Sequence, residues 1–197
     1  MRRHLKQFAF MAMTVVFATS GCGFEGQARA GTPTAADSGL DCVRNALSQS
    51  DTPYPGWRSG GDAGNDKERG NAFDQFAKAL GACRRQHGLS DAKEKALTTY
   101  SMAHFQAENR LAALNNRGFP FSLRQFDAAI DQLLPDQRKK LSEFEIQGPA
   151  MRSALEHLYA QGVAIDSVKE DKDMENYILL ICETATYVDA RKMFLSL

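Results

Sequence analysis

From Asn71 to the C-terminus, large apolar residues recur at the three- and four-residue intervals of an α-helix, and no useful stretch alternates apolar with polar side chains as a half-buried strand does. That pattern restricts the chain to helices packed on helices. Phe73, Phe76, Ala77, Leu80 and Cys83 share a stripe that His87 and Gly88 bring to an end. Ser90-Asp91 opens a long helix carrying Leu97, Tyr100, His104, Ala107, Leu111 and Leu114 on one face; it ends near Arg117, with Gly118 as cap and Pro120 just beyond. Ser122 and Gln125 have the spacing of a capping box, with Phe121 and Phe126 as its hydrophobic staple, and that helix buries Phe126, Ile130, Leu133 and Leu134.

Pro135-Asp136 favours another start, for a helix carrying Leu141, Phe144 and Ile146 that Gly148-Pro149 breaks. Met151, Ala154, Leu155, Leu158 and Tyr159 mark the next, which stops at Gly162. The last begins between Ser167 and Asp173 and places Met174, Ile178, Ile181, Ala185, Val188 and Leu195 on one face. Its apolar residues spread well past a single stripe, so it is the expected central helix. The chain has 197 residues, enough for one domain with a real core. The expected architecture is all-α: a single bundle of five to seven helices, orthogonal or up-and-down, over 39–197. A short helix from Leu40 to Gln49 precedes the first long one, and the stretch 51–70, with Pro53, Pro55 and five glycines around the only Trp, reads as a long loop.

The first thirty residues carry an address. Arg2, Arg3 and Lys6 precede an uncharged, largely apolar run from Phe8 to Phe17 and then the small residues Ala18 to Gly21, the three regions of a secretory signal. The uncharged stretch between Lys6 and Glu25 has 18 residues, several of them Gly, Ser, Thr or Cys, which is the short end for spanning a bilayer. Ala18-Thr19-Ser20-Gly21-Cys22 resembles the lipobox of bacterial lipoproteins. The resemblance implies cleavage after Gly21, a diacylglycerol on Cys22 and, with Gly23 following, the outer membrane. An Ala28-Arg29-Ala30 site offers the alternative, a soluble periplasmic chain beginning at Gly31. Residues 22–38, rich in Gly, Ala, Thr, Pro and Ser, read as a flexible tether.

Charge and motifs exclude more than they assign. From Cys22 onward there are 21 basic and 24 acidic residues, a formal charge of −3, and the basic runs at Arg84-Arg85 and Arg138-Lys140 are short. Nucleic acid is therefore set aside as a partner. No zinc, haem, di-iron, phosphate-loop or Gly-x-Ser-x-Gly motif occurs, and no cofactor is expected. His104 reads as a core histidine. Asp62 to Asp66 lacks the Gly and Glu of a calcium loop. The carboxylate pairs Asp127/Asp131 and Glu143/Glu145 are common on solvated helix faces.

Cys42, Cys83 and Cys182 remain in either mature form, and Cys42 with Cys83 is the expected disulfide, flanking the 51–70 stretch; Cys182 reads as a buried small hydrophobe. Tyr54, Trp57 and Arg58, residue types enriched at interface hot spots, are the candidate partner contacts. These features point to a non-enzymatic envelope protein that binds another envelope protein, of inhibitor, immunity or assembly-accessory type. The competing readings are a small periplasmic hydrolase of cell-wall material and a carrier of a hydrophobic ligand. Two acids converging in a cleft would mark the hydrolase, and a closed apolar cavity the carrier.

Overall fold

A computed structural model describes residues 39–48, 66–164, 168 and 170–197. The expected signal peptide, Cys22, the alternative cleavage position after Ala30, the expected tether and the candidate contacts Tyr54, Trp57 and Arg58 lie outside the described residues. Among those described there are seven α-helices and no strand: α1 Cys42–Ser48, α2 Asp66–His87, α3 Asp91–Asn116, α4 Leu123–Asp131, α5 Pro135–Ser142, α6 Pro149–Ala160 and α7 Asp171–Ser196. The chain is an all-α bundle, as the periodicity requires.

α7 is its axis. Six consecutive residues, Leu180 to Ala185, are buried, so the middle of this helix has no solvent side. It runs antiparallel along the whole of α3. Arg117 meets Glu170 and Asp173 at one end, Arg110 meets Glu183, His104 and Tyr100 meet Tyr187, and Lys93 lies over Phe194 at the other. α4 and α5 pack on another side of α7, α6 packs on α4 and α5, and all three share with α7 and the C-terminal half of α3 one core, whose large fully buried side chains include Tyr177, Tyr187, Phe126, Leu114, Ile130 and Leu158. A second cluster joins α1 and α2 to the N-terminal half of α3 and to Phe194, through Leu40, Val43, Leu47, Phe76 and Leu97. Tyr100 packs against both clusters. Each large aliphatic or aromatic side chain removed from water contributes about 1.5–3 kcal/mol.

The helix ends follow the local signals. Ser90 accepts a hydrogen bond from the Lys93 N–H (3.3 Å) as the α3 cap. Gln125 accepts from the Ser122 N–H at 2.9 Å, and the Phe121 and Phe126 rings meet edge-on with centroids 6.1 Å apart. The disulfide forms between Cys42 and Cys83, with Cα atoms 5.8 Å apart, and fastens α1 to α2.

Several expectations are corrected. α2 begins at Asp66 rather than Asn71, inside the expected loop 51–70. Its opening residues Asp66-Lys67-Glu68-Arg69 have good helix formers among them, and Gly70, which costs about 1 kcal/mol in a helix, does not stop it. Its buried stripe is Phe76, Ala79 and Cys83, with Phe73 and Ala77 turned outward. Leu134, the residue before Pro135, is extended (φ −62°, ψ 151°) and exposed instead of buried with α4. Tyr159 and Leu195 point to solvent as well. α5 stops at Ser142, leaving Phe144 and Ile146 off the helix and exposed.

Candidate functional site

Among the described residues, three places gather chemistry outside the apolar core: a polar seam between α3 and α7, and two open clefts beside α7.

In the seam, the Glu183 side chain is only 5% exposed, with Oε1 3.5 Å from Arg110 Nε. Arg110 also donates to Asn176 Oδ1 at 3.0 Å, while Glu183 Oε2 has no hydrogen-bond partner. Burial pushes the carboxyl up to about 7, and the half-solvated Arg110 offsets only part of that. One turn away, His104 stands against Tyr187 and Tyr100, with ring centroids 4.9 and 5.6 Å distant. Burial, then the charges of Arg44 and Arg191, hold it down at about 4. Glu108 lies 3.6 Å from its Nδ1, but Arg44 grips the same carboxylate at 2.6 Å, so the imidazole gains little from it. At neutral pH His104 is an uncharged core ring, the role its place on an apolar face suggests. The Tyr187 hydroxyl is buried without a well-formed hydrogen bond; burial and then the neighbouring Asp127 carboxylate raise its pKa. Cys182 is fully buried, and its thiol is pushed up to about 11 by burial and then by Glu183, which makes it a poor nucleophile.

The seam can hold a proton on Glu183, but it offers no second carboxylate beside it in an open cleft. The paired acids of the sequence go elsewhere. Asp127 and Asp131 face Arg191 (3.4 and 3.9 Å), and Lys192 reaches Asp131 at 2.8 Å, with that last hydrogen bond holding the Asp131 carboxyl below its ordinary range. Glu143 and Glu145 pair with Lys139 and Lys140 at 4.0 and 3.8 Å. No group of three or more His, Cys, Asp or Glu among the described residues is placed to hold a metal, and no described helix is long and apolar enough to cross a membrane.

The groove is built on an irregular helix end. α5 closes with a Schellman motif: the Phe144 N–H donates to Leu141 O and the Glu145 N–H to Lys140 O, both at 2.9 Å. The residue after the cap in this motif must take a left-handed backbone. α2, α3 and α6 close in the same way, and they place Gly88, Gly118 and Gly162 there; α5 places Phe144, at φ 60°. A left-handed backbone costs an ordinary L-residue roughly 1–2 kcal/mol, and ring burial does little to offset it, since Phe144 remains 50% exposed.

The turn stands Phe144 and Ile146 as a wall facing Met174, Ile178 and Leu179 of α7 across a solvent-open groove of about 440 Å³. Its rim carries Asp171 and Glu175, one turn apart, both exposed. Neither makes an ion pair among the described residues. A second open cleft, of about 520 Å³, lies where α3, α5 and α7 meet, and mixes Lys95 and Lys139 with Asp136, Glu143 and Asp189 over a floor that includes Met193. Neither cleft is lined by Glu183, and neither is a closed apolar cavity.

The structure thus brings together residues that sequence reasoning placed apart or inside. The helical spacing predicts Phe144, Ile146, Met174 and Ile178 on buried helix faces. The signal that could have found them is the missing glycine between Ser142 and Gly148. Arg110 and Glu183 stand 73 residues apart in sequence, and nothing local links them. Comparison with known proteins finds no matching family model, no matching curated protein and no matching solved structure.

Proposed function

We propose that this chain is an exported cell-envelope protein, either lipid-anchored at the outer membrane through Cys22 or released into the periplasm after Ala30, which acts by binding another envelope protein as an inhibitor, immunity factor or assembly accessory. The observation that carries the reading is the groove at Phe144: an exposed apolar surface, held in place by a helix cap of unfavourable backbone geometry, with unpaired charge on its rim. Backbone strain concentrates where function over-determines it, and apolar patches rimmed by polar groups mark partner surfaces. The hydrolase reading has one feature in its favour, the buried Glu183 with its raised pKa, but a general acid must reach its substrate, and neither described cleft touches that residue.

The test is a photo-crosslinking amino acid placed in the chain as it is made in its own cells, at Ile146 in one strain and at Trp57 in another. Intact mass of the envelope fraction, measured before and after reduction, establishes the processed form. Crosslinks from either position to one defined envelope protein are expected. A chain that crosslinks to nothing from either position would refute the proposal, and cleavage of cell-wall polymer in vitro would put the hydrolase reading in its place.

A further inference from the structure

Every element that lines the groove contributes either an apolar side chain or an acid. Along α7, Asp171, Met174, Glu175, Ile178 and Leu179 follow helical i, i+3, i+4, i+7, i+8 spacing, a stripe two turns or about 12 Å long. Phe144 and Ile146 stand opposite it, so the trough runs beside the α7 axis and can accept apolar side chains presented at matching intervals. The charged side chains that line it, Asp171 and Glu175, have one sign. On the wall side, Lys139 and Lys140 pair with Glu143 and Glu145 at 4.0 and 3.8 Å. On the α7 side, Arg117 is engaged by Glu170 and Asp173, and the exposed Lys172 is not among the groove's lining residues. Asp171 and Glu175 are the two lining charges without an ion pair among the described residues.

Resting on the protein-binding reading above, we propose that the groove receives a cationic amphipathic helix of the partner protein. Two apolar residues one turn apart enter between Phe144 and Ile178, and flanking Lys or Arg side chains lie against Asp171 and Glu175. This is helix-in-groove recognition, in which the apolar pair supplies affinity and the acidic rim supplies orientation and partner choice. An acidic helix of the same apolar pattern would bring like charges together in a groove with no basic residue in its lining.

The experiment uses the mature chain with its disulfide intact and two fluorescein-labelled synthetic helical peptides of identical Leu pattern, one flanked by Lys and the other by Glu. Fluorescence anisotropy should show the Lys peptide binding about tenfold or more tightly than the Glu peptide at low salt, with the gap narrowing as salt rises. The double variant Asp171→Lys/Glu175→Lys should reverse the preference, and Phe144→Gly should weaken both peptides while leaving the far-UV circular dichroism unchanged. Equal binding of the two peptides, binding of neither, or a preference that survives the charge reversal overturns the inference. If the inference fails while the Ile146 crosslinker still captures one envelope protein, the protein-binding reading stands and only the helix chemistry is wrong. If the crosslinker captures nothing from either position as well, both readings fall.

Discussion

Replacing Glu183 with glutamine should uncover a pH dependence of stability that the native chain conceals. In the fold this carboxyl is held near 7 against an ordinary 4.5, so between those pH values the folded state keeps a proton that the unfolded chain has lost. Its contribution is complete below pH 4.5 and disappears as pH rises to 7. At about 1.4 kcal/mol per pH unit, the loss is about 3 kcal/mol. His104 works in the other direction. Its folded value of about 4, against an ordinary 6.5, makes its contribution complete above pH 6.5 and lost as pH falls to 4, again by about 3 kcal/mol. Both side chains are well shielded, at 5% and 13% exposed, so solvent screening removes little from either figure.

Between pH 4.5 and 6.5 the two slopes oppose, and their sum in the native chain is nearly flat. Glu183→Gln removes one arm: its stability relative to the native chain should climb by about 3 kcal/mol from pH 4.5 to 7. His104→Gln removes the other, and its relative stability should fall by about the same amount from pH 4 to 6.5. In a domain of this size each kcal/mol moves Tm by roughly 2–4 °C, so each difference curve spans about 6–12 °C. Urea unfolding followed by circular dichroism at half-unit pH steps reads both. Any packing cost of a substitution displaces its whole curve and leaves the slope intact. A Glu183→Gln difference curve that stays level or descends with pH would refute the reasoning.

Three further outcomes follow from the packing. The Cys42–Cys83 bridge spans 41 residues, so Cys42→Ser/Cys83→Ser should lower stability by about 4 kcal/mol on the chain-entropy account; hydrogen exchange should rise first in α1 and α2, and uniform loss across α7 would contradict the separate cluster they form. Arg138 is 6% exposed, donates to Asp189 at 2.7 Å and also to the Leu133 carbonyl; because Asp189 borders an open cleft and can be solvated, Arg138→Ala should cost about 1–3 kcal/mol, chiefly by leaving the carbonyl unanswered, and no loss in urea unfolding would refute this. Phe144→Gly should raise stability by about 0.5–1 kcal/mol, since glycine takes φ 60° freely, and a lowered Tm would mean that the ring contributes more to the core than its exposure implies.

The features legible in the sequence are those that act over a few residues. The Ser90 cap, the Gln125 contact to Ser122, the Gly118 and Gly162 stops and the breadth of the apolar pattern in α7 each depend on neighbours within a turn or two, and the structure shows them where the sequence places them. The disulfide was legible for another reason, because two half-cystines flanking an irregular stretch leave few partners. What periodicity cannot supply is the identity of the facing surface. Leu134 and Tyr159 continue the stripes of α4 and α6, yet no described element covers those positions, and both are exposed.

The groove is the instructive failure. A helix stop is recognised by its glycine, and at α5 the left-handed position holds Phe144, so the apolar spacing of Leu141, Phe144 and Ile146 read as a continuing helix with a buried face. The backbone hydrogen bonds of Phe144 and Glu145 decide otherwise, and the two side chains that the pattern would have buried are turned toward solvent opposite Met174 and Ile178. The departure from a local rule and the exposed apolar surface are therefore one feature. The same substitution that makes this helix end hard to read in the sequence also builds the wall of the candidate binding site, and Phe144→Gly separates the two consequences: it should improve the cap while removing the wall.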